Sequence, residues 1–225
     1  MTSKFENMIS ASALRVFYRQ PLLSLIMIIV VAMLLLSCQA DAQQNIKRNN
    51  MEKENLKEIY LAGGCFWGTE HYFKQIDGVV DTEVGYANGT TEDPTYKEVC
   101  TDKTGFAETV HVRYDPNKVS LRFLLEMYFK AIDPTSVNQQ GHDIGTQYRT
   151  GVYYTDSADE ATIKEVFTEQ QQYVKGMIAV ENLPLKNFYK AEDYHQDYLD
   201  KNPDGYCHLP QSLFEFARKA KYTEK

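Results

Sequence analysis

The stretch Ile59 to Gly78 constrains the fold most, because it changes backbone habit within a few residues. Ile59-Tyr60-Leu61-Ala62 is short, apolar and β-prone, whereas Thr69 to Ile76 has the spacing of an amphipathic helix that ends near Gly78. Between them stands Gly63-Gly64-Cys65-Phe66-Trp67-Gly68, whose glycines allow turns that other residues resist. A strand end is thereby set against a helix start, with one thiol at the junction. A helix N-terminus carries partial positive charge and unpaired N–H groups, so a cysteine there leans toward the nucleophilic thiolate. The hexapeptide is equally compatible with a buried, unreactive cysteine beside core aromatics, and by itself it does not choose.

The chain has 225 residues, room for one packed domain and a tail, and its net charge of -7 argues against nucleic acid as a partner. The one strongly hydrophobic run, Leu22 to Leu36, follows Lys4, Arg15 and Arg19 and precedes Ser37-Cys38. A basic region, an apolar region and a small residue before the cut predict a secretory signal over residues 1–37. Leu35-Leu36-Ser37-Cys38 also resembles the lipobox of bacterial lipoproteins, which implies acylation at Cys38 and attachment to the membrane of the cell envelope through lipid. An uncleaved signal-anchor is the alternative, although the run is short of the roughly 20 apolar residues a span needs. Residues 38–55 are polar and lack periodicity, as expected of a flexible tether.

Beyond Cys38 remain Cys65, Cys100 and Cys207, an odd number for a disulfide framework. Without any Cys-x-x-Cys, neither a thioredoxin-like site nor a four-cysteine zinc site is expected. Cys207-His208 with His195 can donate to a metal, but adjacent ligands close a tetrahedron poorly, and no metal is expected. Cys100, beside Val99, reads as a buried inert thiol.

From Leu56 onward strands and helices mix with no repeat or linker, predicting a single domain over 56–225. Glu108 to Tyr114 alternates, with Val110, Val112 and Tyr114 on one face. Glu108 shares that parity, so a strand beginning there turns its carboxylate coreward, where burial keeps it protonated and able to donate. A strand starting one residue later leaves it in solvent. Ser120 caps a helix carrying Leu121, Leu124, Leu125, Tyr128 and Ile132, stopped by Asp133-Pro134. A polar loop, Thr135 to Tyr148, precedes a strand at Gly151 to Tyr154. Ser157-x-x-Glu160 predicts a capping box opening a helix toward Val174, Ile178 to Val180 a strand, Phe188 to Leu199 a last helix, and Ser212 to Lys225 a fraying tail.

Three functional classes fit the separated thiols unequally. A papain-like protease accounts for Cys65 with His195 downstream, but Phe66 stands where Trp or Tyr belongs. A lipid-anchored binding module suits the tyrosine-rich loops and leaves the thiols and the coreward carboxylate unexplained. The third is a thiol redox enzyme. Gly64-Cys65-Phe66-Trp67-Gly68, Gly85-Tyr86, Pro94-Thr95-Tyr96, Thr104 to Glu108, Tyr114-Asp115-Pro116, Asp133-Pro134-Thr135, Asn138 to Gly141, Asp143 to Arg149 and Ala191 to Gln196 occur in family order, and through them the chain closely resembles the A-type peptide methionine sulfoxide reductases from Leu56 to about Phe216.

The resemblance implies an α+β fold, a two-layer α/β sandwich around a mixed β-sheet with a ferredoxin-like core. It implies reduction of one sulfoxide epimer, the S form, of protein-bound or free methionine sulfoxide. Cys65 would be the nucleophile, with Phe66 and Trp67 forming the pocket for the substrate methyl group. Glu108 would supply the proton, Tyr96 and Tyr148 would hydrogen-bond the oxygen, and Asp143 would line the site. Cys207 matches the resolving cysteine, giving a Cys65–Cys207 disulfide recycled by an external thioredoxin-like dithiol, without cofactor or metal. Phe106 stands where many members carry histidine.

Overall fold

The computed structural model describes residues 55–223 and, before them, Met27 alone, helical and exposed. The expectations for the signal segment, for Cys38 and for nearly all of the tether lie outside the described residues. Among the described residues no helix is long and apolar enough to cross a membrane.

Strand β1 (Lys57–Gly63) runs into helix α1 (Phe66–Lys74) through the glycine turn, and β2 (Val79–Ala87) follows. A one-turn helix α2 (Tyr96–Val99) precedes β3 (Ala107–Tyr114) and helix α3 (Leu121–Ala131). A two-residue hairpin pairs β4 (Gln139–Gln140) with β5 (Asp143–Ile144), ahead of a 3-10 turn at Thr146–Tyr148. Then come β6 (Thr150–Tyr154), α4 (Asp159–Gln171), β7 (Glu181–Pro184), β8 (Phe188–Lys190), α5 (Tyr198–Lys201) and α6 (Gln211–Lys219). The six-stranded sheet has the order β7-β6-β1-β3-β2-β8, antiparallel throughout except for the parallel β6–β7 pair.

The register sets Ile59 opposite Val112, Leu61 opposite Val110 and Val84 opposite Val110. Because side chains alternate along a strand, these residues share a face. On that face they join Val152 and Tyr154 in a core with Tyr72 and Phe73 of α1, Leu124, Leu125 and Tyr128 of α3, and Ile163 and Val166 of α4. The opposite face carries a smaller cluster in which Tyr60, Ala62, Ala87, Ala107 and Tyr153 meet Leu185 and Phe188. Two buried phenols are satisfied by backbone carbonyls: Tyr128 Oη donates to Ala62 O at 2.7 Å and Tyr72 Oη to Met127 O at 3.0 Å. Ser120 caps α3 as its sequence predicts, its Oγ accepting from Phe123 N at 3.2 Å.

The C-terminal third departs from its local pattern. Phe188–Lys190 is a strand rather than the start of a helix, because it adds to the free edge of β2 with Tyr189 opposite Tyr86. Asp197, left-handed at φ +52°, then delays the helix to Tyr198. The strand expected at Ile178–Val180 lies at Glu181–Pro184, where Glu181 accepts from Tyr153 Oη at 2.6 Å and from Arg149 Nε at 3.1 Å. The Ser157 capping box does not form. Asp156 Oδ1 instead accepts from Ala158 N at 2.9 Å, and α4 starts at Asp159. The tail expected to fray is the amphipathic α6, which buries Phe214 and Ala217. Cys100 is exposed, not buried.

Candidate active site

Gly64 adopts φ +83°, and a Cβ there would lie 2.5 Å from Cβ of Gln140. Only glycine makes this turn without strain or collision. It delivers Cys65 to the N-cap of α1, 6% exposed. Backbone N–H groups of Trp67 and Gly68 lower the thiol's affinity for its proton, as a helix start should, but burial and then the neighbouring Glu108 charge outweigh them. The pKa of Cys65 therefore lies well above the ordinary range. The resting site holds a thiol, and the expected lean toward thiolate is overturned by burial.

Glu108 is the second residue of β3, on the core face and 1% exposed, so the solvated alternative is excluded. Its Oε2 accepts from Phe66 N at 3.0 Å, which ties the carboxyl to the helix turn that carries Cys65. Burial pushes Glu108 up to about 8, with Asp143 adding a little and the Phe66 N–H opposing. At neutral pH the group holds its proton and can give it to a neighbour.

Tyr96 and Tyr148 are both half-buried, and in both burial followed by the Glu108 carboxylate holds the phenol above its usual range. Both therefore remain hydrogen-bond donors at physiological pH. Tyr96 is fixed from behind, since its N donates to Glu192 Oε1 at 3.0 Å while Glu192 Oε2 accepts from Tyr86 Oη at 2.7 Å. Asp143, on β5, accepts from Tyr206 Oη at 2.8 Å through Oδ1. Phe66 is buried and Trp67 partly so, the indole stacking on Tyr198 with centroids 3.7 Å apart. Trp67 Nε1 donates to His195 Nδ1 at 3.1 Å, and the His195 ring lies 5.0 Å from Phe66 and 4.6 Å from Tyr96.

Cys207 lies in the irregular segment between α5 and α6 and is half-buried. Its Sγ accepts from Leu209 N at 3.4 Å, and burial pushes the thiol up. A Cβ on Gly68 would meet this sulfur at 2.9 Å, so the segment packs on the first turn of α1 only because Gly68 has no side chain. All the site residues expected from the sequence except Cys38 thus gather around one end of β1 and the start of α1. His195 falls within the helix expected over Phe188 to Leu199 but lies in a turn, 1% exposed and hydrogen-bonded to Trp67. Glu192 is a further member of the site that residue patterns did not single out, and His208, considered from the sequence only as a metal donor beside Cys207, packs here as well. Their partners are distant in sequence.

An α+β domain that buries one thiol against a protonated carboxyl, with a second thiol over the same helix turn, defines a thiol-chemistry enzyme. The sequence profile of the family described as "Peptide methionine sulfoxide reductase" matches residues 57–225. A peptide methionine sulfoxide reductase MsrA of Clostridium acetobutylicum is 57% identical over 160 residues, covering 71% of this chain and 99% of that protein. Its counterpart in Lachnoclostridium phytofermentans is 56% identical over 164 residues, 73% of this chain and 99% of the relative. Among solved structures, reduced Mxr1 from Saccharomyces cerevisiae is similar with a TM-score of 0.66 at 46% identity, covering 68% of this chain and 90% of that one. Methionine sulfoxide reductase A of Corynebacterium diphtheriae gives 0.65 at 38% identity, covering 70% and 84%. The chain belongs to the peptide methionine sulfoxide reductase family.

Proposed function

We propose that this protein reduces the S epimer of methionine sulfoxide, in proteins or free, and so repairs oxidised methionine. Cys65 Sγ attacks the sulfoxide sulfur while its own proton passes to the oxygen side. Oxygen leaves poorly unless protonated, and Glu108 supplies that proton, with Tyr96 and Tyr148 hydrogen-bonding the developing charge. Phe66 and Trp67 hold the methyl group, and His195 fixes the indole. The oxygen leaves as water while the bond between Cys65 Sγ and the substrate sulfur forms, and a water then attacks Cys65 Sγ, expelling methionine and leaving a Cys65 sulfenic acid. The Cys207 thiol then displaces water to form the Cys65–Cys207 disulfide, and an external dithiol of the thioredoxin type reduces it. The observation that carries the reading is the buried carboxyl of Glu108, held at about 8 and bonded to the helix turn that begins at Cys65. Cys65→Ser should abolish reduction. Cys207→Ser should give one turnover and no recycling by a dithiol protein, and sustained turnover by that variant would remove Cys207 from the cycle.

The strand sequence β1-α1-β2-β3-α3-β6, with inner order β6-β1-β3-β2, supports a ferredoxin-like core for this domain. We further propose that residues 1–37 direct export and that Cys38 is acylated, attaching the domain to the envelope membrane. Its substrates would then be envelope proteins. Radioactive fatty acid should label the full chain and fail to label Cys38→Ala.

A further inference from the structure

The site contains a second arrangement that sulfoxide chemistry does not use. A sulfur of Cys65, a carboxylate oxygen of Asp143 and a ring nitrogen of His208 all lie within 4.8 Å of one another. His208 Nε2 sits 3.2 Å from Gly63 O, and since a carbonyl only accepts, Nε2 carries the hydrogen. The lone pair is thereby left on Nδ1, which is buried and has no partner among the described residues. Asp143 repeats the pattern: Oδ1 accepts from Tyr206, and Oδ2 is buried and has no partner among the described residues. A metal-binding imidazole usually donates its other N–H to a carbonyl, and a metal-binding carboxylate is itself hydrogen-bonded. In each residue one polar atom is thus held by a hydrogen bond, and the other is buried and without a partner among the described residues.

We propose that Cys65, Asp143 and His208 form a zinc site in the reduced protein, one that occupies the reactive sulfur and so inhibits the enzyme reversibly. Sulfur, imidazole nitrogen and carboxylate oxygen form a ligand set that suits Zn²⁺. Ligand atoms around a tetrahedral zinc stand about 3.3–3.5 Å apart, so the trio closes by side-chain movements of about 1 Å. Binding displaces the Cys65 proton to solvent. The fourth position falls to water or to Cys207, whose sulfur and His208 Nδ1 lie 2.9 and 3.1 Å from the same point over Gly68. Oxidation of Cys65 removes a ligand, so the site exists only in the reduced state.

The test is titration of the reduced full chain with Zn²⁺ against a chromogenic chelator, which reads binding without turnover and so does not depend on the reductase reading. Expected is about one zinc per chain at micromolar concentration, lost in Cys65→Ser and at least roughly tenfold weaker in His208→Gln. Cys100→Ser, a surface change, should leave it intact. Should His208→Gln misfold, Tyr206→Phe keeps all three ligands, releases only the Asp143 hydrogen bond and should weaken binding about tenfold. Absence of micromolar binding, or binding indifferent to Cys65→Ser, or to both His208→Gln and Tyr206→Phe, overturns the proposal.

Discussion

Replacing Glu108 by Gln separates the proton on this group from its shape. The amide oxygen can still accept from Phe66 N, so the helix turn at Cys65 should survive, while the ability to give up a proton at neutral pH is gone. With its carboxyl held at about 8, Glu108 is protonated roughly ten to one at pH 7. General acids of this kind contribute about 10²–10⁴ in rate. Single-turnover methionine formation should therefore fall by that factor in the variant. The wild-type rate should decline above pH 8 as the proton is lost, and the variant should show no such limb. Stability carries the same signature. Raising a buried carboxyl from its ordinary 4.5 to about 8 corresponds to roughly 5 kcal/mol. Because the folded pKa is the raised one, that contribution is complete below the unfolded value near 4.5. It is lost progressively as pH rises to about 8 and is flat beyond. Denaturant melts at pH 5 and pH 9 should show Glu108→Gln gaining on wild type by several kcal/mol at the higher pH. An unchanged single-turnover rate, together with parallel stability profiles, would refute the protonated-acid argument.

Two further substitutions probe the supports of the site. Gly68→Ala puts a Cβ 2.9 Å from Cys207 Sγ and 3.1 Å from His208. It should leave the first methionine intact but slow disulfide formation roughly tenfold to a hundredfold, seen as sulfenic acid trapped by dimedone. His195→Ala removes the acceptor of the Trp67 indole and should cost about 1–3 kcal/mol in denaturant melts while raising KM for peptide sulfoxides.

What the sequence disclosed depended on the range of the forces involved. The turn at Gly64-Cys65 and the helix opened by Ser120 are local, set by backbone freedom and capping within a few residues, and both can be read directly. Glu108 was half legible: alternation fixed its parity, but only pairing of β3 with β2 through Tyr86 and Ala87 extends the strand past it. The segment from Phe188 to Leu199 departs from its local pattern because its partners are remote. β8 forms on the edge of β2, and His195 is fixed by Trp67, 128 residues away. A helical-looking pattern there loses to an open sheet edge, and no local rule reports that an edge is open. The thiol state of Cys65 was missed for a similar reason, since the helix dipole is visible in sequence and burial against Glu108 is not.

The central claim is that Cys65 and Cys207 form one redox pair acting on sulfoxide sulfur. It is tested most directly by mixing the reduced full chain, without donor, with separated epimers of a peptide methionine sulfoxide. The S epimer should yield about one methionine per chain with loss of the Cys65 and Cys207 thiols alone, and the R epimer should yield none. Methionine from both epimers alike, or methionine formed while both thiols remain titratable, would contradict the account.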